Sequence, residues 1–355
     1  MNTPFTYAPL PTRVLFGAGR AAELPAEVAA LGARRAMLLS TPEQREMAAQ
    51  VAAPLNGILV ASFSGAAVHT PVEVTERALE AVREAACDVL VAVGGGSTTG
   101  LAKALALRTD LPQVVIPTTY AGSEVTSILG QTESGMKSTL RSPKVLPEVV
   151  IYDPGLTLSL PPALSATSGL NAIAHAVEAL YARDANPVVS LMAEEGIRAL
   201  GAALPAIFVD PQEREARAGA LYGAWLCGTC LGAVGMALHH KLCHVLGGTF
   251  DLPHAETHAV ILPHAASYNA PAAPEALRRA ARALSVEDAG AGLAALAARL
   301  GAPRALRDLG MPEEGIAAAV RLTLESTYPN PRQPDPASLT ALLRRAWAGE
   351  PPAAD

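Results

Sequence analysis

Lysine is almost missing from this chain. Only four occur (Lys103, Lys137, Lys144 and Lys241), and arginine supplies the rest of the 27 basic residues. With surface charge carried by Arg, each Lys is a candidate for a specific contact, and all four fall in or beside the motifs described below. Cysteine is just as scarce. Cys87, Cys227, Cys230 and Cys243 are too few for a disulfide framework. Cys227-Gly-Thr-Cys230 has the spacing of a redox pair, but it lies in an apolar, small-residue run, LYGAWLCGTCLGAVGMAL, that reads as a buried helix. Packed thiols are expected there. A basic excess is also absent. The formal net charge is −6, which leaves no footprint for nucleic acid or an anionic membrane. No apolar run reaches the roughly 20 residues of a membrane span. The opening MNTPFTYAPLP lacks the basic and apolar regions of a signal peptide, so cytoplasm is the expected compartment.

The chain does have enough apolar material for a large core. Half of its 355 residues are hydrophobic and 17% are charged, and the length suits two domains. An edge strand or short strand pair is expected within 4–16. Helices are expected at 20–31, 43–53, 71–86 and 98–107, and strands at 35–40, 57–63, 88–93, 113–117 and 148–152. Uninterrupted apolar strands alternating with helices indicate a parallel sheet covered on both faces. Beyond Asp153-Pro154 the sequence turns Ala/Leu-rich with helical spacing and no strand. The reading is an α/β dinucleotide-binding domain over 1–154 and an all-α domain over 155–355, with the active site in the cleft between them.

Strand 88–93 runs into Gly94-Gly95-Gly96-Ser97, where a helix opens. Glycines let backbone approach an anion, and the N–H groups of a helix start point at it with the dipole behind them. The turn lies at the carboxyl end of a strand, where open α/β sheets bind ligands. It is neither a P-loop nor a full GxGxxG fingerprint. A second polar loop, Thr118-Thr119-Tyr120-Ala121-Gly122-Ser123, leaves the neighbouring strand at the same edge. Together the two loops indicate a dinucleotide.

Five of the eight histidines fall in one stretch, HHKLCHVLGGTFDLPHAETH: His239, His240, His244, His254 and His258. Histidine suits both proton transfer near neutral pH and metal ligation. His240 and His244 share one helix face, as do Asn171 and His175 on SGLNAIAHAVEAL. Three histidines from three elements suit a metal, but a divalent metal at a hydride-transfer site usually has an anionic ligand or an open position. The residue facing His175 is the uncharged Asn171. Glu178 lies near that face and is assigned to a supporting or surface role.

These motifs resemble the iron-containing alcohol dehydrogenase family, whose fold is dehydroquinate-synthase-like. GGGSTTGLAK (94–103) and PTTYAGSEVT (117–126) are similar to its two cofactor loops. SGLNAIAHAVEA (168–179) and HHKLCHVLGGTFDLPH (239–254) are similar to its metal-site motifs. Within it, IPTTYAGSEVT, LPHAETHAVILPHA and TYPNPR resemble the branch that reduces maleylacetate. The resemblance implies that Gly94, Gly95, Gly96 and Ser97 hold a pyrophosphate, that Thr118, Thr119 and Ser123 line the nicotinamide, and that Lys137 reaches a ribose. It places His175, His240 and His254 at metal-ligand positions, with His244 beside the nicotinamide. Asn171 and Gly100 stand where metal-binding relatives carry Asp, so no metal is expected. Thr41 stands where an acid excludes NADP, so NADH is expected with NADPH tolerated.

The implied reaction is NAD(P)H-dependent reduction of the C=C bond of 2-maleylacetate to 3-oxoadipate, in bacterial breakdown of aromatic and chloroaromatic rings. The double bond is conjugated to a ketone, so hydride addition generates an enolate that protonated His or fixed donors stabilise. His240 and His244 are expected near the reacting atoms, and His175 and His254 complete the pocket. Asn171, Tyr120, Lys241 and Arg332 are the candidates for the dicarboxylate substrate. A homodimer is expected through an N-terminal edge strand. Two alternatives stay open: a metal-dependent alcohol dehydrogenase using the same histidines, and an inactive nucleotide-binding protein.

Overall fold

The computed structural model describes residues 4–133 and 136–354, with the side chains of Met136 and Lys137 excepted. In chain order the elements begin with β1 (Arg13–Phe16), α1 (Leu24–Ala30), β2 (Ala36–Leu39), α2 (Arg45–Ala52), β3 (Leu59–Phe63) and α3 (Val72–Glu84). Next come β4 (Val89–Gly94), α4 (Gly96–Thr109), β5 (Gln113–Pro117), β6 (Ile128–Glu133), β7 (Met136–Arg141) and β8 (Val149–Tyr152). Helices follow: α5 (Pro162–Leu180), α6 (Pro187–Val209), α7 (Arg214–Ala233), α8 (Leu238–Phe250) and α9 (His254–Asn269). The last are α10 (Pro274–Ala283), α11 (Ala289–Arg299), α12 (Gly315–Leu324) and α13 (Pro336–Ala348).

The chain divides into two compact units. One is Pro9–Leu160. The other is Pro161–Asp355 together with the N-terminal residues up to Ala8. The α/β unit thus extends past Pro154, because Asp153 ties the following 3-10 turn to it. One Asp153 carboxylate oxygen accepts from Gly155 N at 3.0 Å and the other from Ala21 N at 3.1 Å.

In the α/β unit, β1, β8, β5, β4, β2 and β3 form a six-stranded sheet in that order, and every pairing is parallel. Residues of β2, β4, β5 and β8 are buried throughout. A parallel sheet covered on both faces requires this, and it is why these strands read as unbroken apolar runs. The register sets Gly94 beside Pro117, so the loops after β4 and β5 leave the sheet side by side. The sequence reading did not include β6 and β7, which pair antiparallel as a separate two-stranded sheet.

The second unit is helical, as its composition indicates. Several helix starts are written in the sequence: Asn186 caps α6 ahead of Pro187, and Asp335 caps α13 ahead of Pro336. α8 and α9 pack with α12 and α13 around Leu238, Leu242, Leu246, Ile261, Leu339 and Leu343. This core holds the histidine-bearing faces of α8 and α9 in place. Among the described residues no single helix is long and apolar enough to cross a membrane, and the α7–α8 pair that passes together is bent by 94°.

Candidate active site

In the α/β unit the glycine turn is fixed by close approach. A Cβ on Gly94 would lie 2.3 Å from Thr98 Oγ1 and 2.8 Å from Gln44 Oε1, and one on Gly95 would lie 2.7 Å from Thr119 Cγ2. Neither position admits a side chain without rearrangement. At Gly96 a Cβ would meet only Ala121 Cβ at 3.7 Å, so that glycine leaves open backbone rather than relieving a clash. No side chain caps the start of α4, whose first N–H groups therefore remain for a ligand. Thr118 N donates to Gly94 O at 3.0 Å, and Gln44 Nε2 donates to Thr118 Oγ1 at 2.7 Å. These bonds bind the β2, β4 and β5 loops into one surface. The buried hydroxyls of Thr98, Thr119 and Ser123 have no protein partner. Tyr120 is fully buried. The side chain of Lys137 lies outside the described residues. Gly100, one turn into α4, faces an unusual neighbour. His69 and Thr70 both take left-handed backbone (φ 63° and 46°), and a Cβ at Gly100 would lie 2.3 Å from Thr70 Oγ1.

In the helical unit the histidines gather around Glu178, which sequence reasoning set aside. Its carboxylate is completely buried. One oxygen accepts from His239 N at 2.7 Å, and the other from Ala237 N at 2.9 Å and from His240 Nδ1 at 2.7 Å. The carboxylate thus sits on the positive end of α8, joins it to α5, and orients one imidazole. The available signal was spacing: Glu178 lies one turn beyond His175 on α5. Whether the two helices meet there is a matter of packing, which spacing does not encode.

The His240 ring centre is 5.1 Å from that of His175, 5.1 Å from His258 and 6.4 Å from His244, and His254 is 4.3 Å from His258. His175 and His240 are buried, whereas His244 and His254 are exposed. Burial holds His175 well below the usual histidine pKa, and His240 and His254 push it the same way. Burial also lowers His239 and His258. Behind this group, His239 Nε2 and His258 Nδ1 share a hydrogen bond of 2.9 Å, and Cys243 Sγ lies 3.7 Å from His239 Nε2.

Two of the substrate candidates are occupied within the helical unit. Lys241 Nζ donates to Ser326 Oγ at 3.0 Å. The Arg332 guanidinium stacks 4.2 Å over the Tyr268 ring and donates to Ala354 O at 2.7 Å. Asn171 is buried, and its Oδ1 has no protein partner. Cys227 and Cys230 are free and buried, and their thiols are pushed upward by burial, Cys230 to about 12. They are packing residues.

A glycine-walled, uncapped helix start on a parallel sheet, with a histidine cluster on a helical unit, is the equipment of an oxidoreductase. Residues 11–154 match the family model described as iron-containing alcohol dehydrogenase, and residues 165–347 match the C-terminal model of the same family. The chain belongs to the iron-containing alcohol dehydrogenase family. A maleylacetate reductase of Rhizobium sp. (strain MTP-10005) is 57% identical to it over 349 residues, 98% of this chain and 99% of that protein. The crystal structure of maleylacetate reductase from Agrobacterium tumefaciens matches with a TM-score of 0.95 at 56% identity, covering 99% of this chain and 100% of that one. An iron-containing alcohol dehydrogenase from Corynebacterium glutamicum ATCC 13032 matches with a TM-score of 0.95 at 45% identity, covering 99% of each chain.

The family membership corrects the cofactor expectation. A metal-free site was inferred from the missing charge at Asn171, but this is a family of iron-containing enzymes. Among the described residues, His239, Cys243 and His258 also bring three ligand atoms within 4.8 Å of one another. The inference counted the missing charge at Asn171 and Gly100 and gave Glu178 only a supporting or surface role. The anion is present one step back, in Glu178.

The unpartnered atoms fit a cation. With Nδ1 engaged by Glu178, His240 turns Nε2 into a lone-pair donor, and that atom is buried and unpartnered, as are Asn171 Oδ1 and His175 Nδ1. A carboxylate behind an imidazole is the usual support of a metal-binding histidine. The resemblance names His175, His240 and His254 as the holders, and His239, Cys243 and His258 are a second donor group behind them.

Proposed function

We propose that this chain reduces the C=C bond of 2-maleylacetate to 3-oxoadipate with NAD(P)H. The observation that carries the proposal is identity of 53% to 57% to maleylacetate reductases over 98% of the chain. The histidine cluster and both cofactor loops lie inside that span. The substrate is a conjugated enone with two carboxylates. Hydride adds to the alkene carbon remote from the ketone, its electron pair moves onto the ketone oxygen as an enolate, and a proton then adds to the neighbouring carbon. Reductant and proton enter, and NAD(P)⁺ and the saturated keto acid leave.

The residues divide the work as follows. Gly94–Ser97 and the start of α4 hold the pyrophosphate, and Thr118, Thr119 and Ser123 line the nicotinamide. His175, His240 and His254 would hold the cation that the family implies, which when bound would supply positive charge to the site. Glu178 fixes the tautomer and tilt of His240 through Nδ1. His244 is exposed beside His240 and moves the proton. The neutral Asn171 leaves a dianionic substrate unrepelled where a carboxylate would oppose it. A cytoplasmic homodimer completes the proposal, supported by β1 at the edge of the sheet.

The test is NAD(P)H oxidation with maleylacetate beside a panel of simple aldehydes. Turnover of maleylacetate far above that of every aldehyde is expected. Faster turnover of an aldehyde would overturn the proposal in favour of the second reading, an aldehyde or alcohol oxidoreductase, which the Corynebacterium glutamicum relative favours.

A further inference from the structure

Among the described residues of the α/β unit, Lys103 is a buried cation that the reaction above does not use. Lys103 lies on α4, and its side chain is 1% exposed. Its ammonium donates to Ser123 O at 2.6 Å, Thr126 O at 2.7 Å, Thr126 Oγ1 at 3.0 Å and Ile128 O at 2.9 Å. Every one of these acceptors belongs to the segment that leaves β5. Three ammonium protons are shared among four oxygens, so the group is spent on the chain itself. A phosphate bound at the start of α4 is not its partner.

Burying an ammonium is costly unless all its bonds are made. Burial, partly offset by the Glu124 carboxylate, lowers Lys103 to about 7. Glu124 is itself buried and accepts from Tyr152 Oη at 2.8 Å. An apolar side chain would fill the same space without that penalty, so the lysine points to a required conformation. That conformation is the loop between Thr118 and Ile128. Its first end is fastened by Gln44 and Gly94, and its second end by Lys103. Between the two, Thr119 lies against Gly95, and the hydroxyls of Thr119 and Ser123 have no protein partner.

We propose that Lys103 is a positioning residue for the cofactor, locking the 118–127 loop to the helix that binds the pyrophosphate so that both halves of the dinucleotide are held in one geometry. The proposal rests on the assignment of these two loops to NAD(P)H. It predicts a loss in cofactor affinity that exceeds any loss in the reaction of bound substrate.

The test is NADH titration by fluorescence, which does not depend on the substrate. Lys103→Met is expected to weaken NADH binding between about ten- and a hundredfold. The KM for NADH should rise in step, while the KM for maleylacetate stays within about twofold. In Lys103→Ala, added propylammonium is expected to restore NADH affinity. Thr126→Val keeps volume, removes one Lys103 acceptor together with the hydroxyl's bonds to Ser123 O and Ile128 N, and is expected to weaken binding about threefold. NADH affinity unchanged in folded Lys103→Met, or in Thr126→Val should Lys103→Met not fold, overturns the proposal. Wild-type protein that fails to bind NADH overturns the loop assignment itself, and the proposal with it.

Discussion

The two units solve one problem with opposite charges. In the α/β unit a buried cation, Lys103, collects oxygens from a loop. In the helical unit a buried anion, Glu178, collects N–H groups from a helix start together with one imidazole. The first arrangement leaves backbone and hydroxyls facing a ligand, and the second leaves imidazoles. In each unit one buried charge thus fixes several neutral groups. The lesson is that the residues holding a site in place need not be those whose type advertises chemistry.

The comparison is sharpened most by removing chemistry without removing the anchor. His240→Ala is expected to lower kcat by about 10²- to 10⁴-fold, with circular dichroism unchanged. Near-wild-type turnover would show that the ring held by Glu178 is not at the reacting centre. Removing the anchor itself is the next largest effect. Glu178→Ala strands the N–H groups of α8 and is expected to cost about 3–5 kcal/mol in denaturant unfolding. Glu178→Gln keeps the volume, and elemental analysis should show bound metal affinity reduced about 10- to 100-fold. Equal stability and equal metal content in both variants would break the comparison.

A smaller effect separates the cluster from the rest of the helical unit. His264 on α9 is buried apart from the site, and burial, aided by Arg345, lowers it to about 4. Between that value and about 6.5 the unfolded chain binds a proton that the folded chain does not, so stability rises with pH there. It is fully present above pH 6.5 and is lost as pH falls toward 4, by about 3 kcal/mol. His264→Leu should flatten that part of the profile in thermal unfolding, and an unchanged slope would place the acid sensitivity elsewhere. The smallest effect concerns Arg332. Arg332→Met should cost about 0.5–1 kcal/mol for the lost stack on Tyr268, with KM for maleylacetate unaltered. A large rise in KM would restore Arg332 as a substrate residue.

How much was legible follows from these particulars. β2, β4, β5 and β8 could be read because a doubly covered strand must be apolar at every position. β6 and β7 could not, because ILGQTE and MKSTLR carry polar residues and form a two-stranded sheet outside the main one. The glycine turn was legible as a close approach at a helix start, but Gln44 was not. Its contact with Thr118 joins residues far apart in sequence. The histidines were legible by type and spacing. The metal was misjudged because Asn171 and Gly100 were weighed without the buried carboxylate of Glu178, whose place depended on where α5 meets the start of α8.

The turn at His69 and Thr70 couples two positions distant in sequence. Thr70 occupies the space that a side chain at position 100 would need, and it does so in a left-handed conformation that a β-branched residue rarely takes. A Cβ at position 100 therefore requires the Thr70 hydroxyl to move. Beyond that hydroxyl the contacts are ordinary, with Thr70 Cβ at 3.5 Å and Cγ2 at 3.8 Å, so a turn of the Thr70 side chain decides whether Gly100→Ala is tolerated.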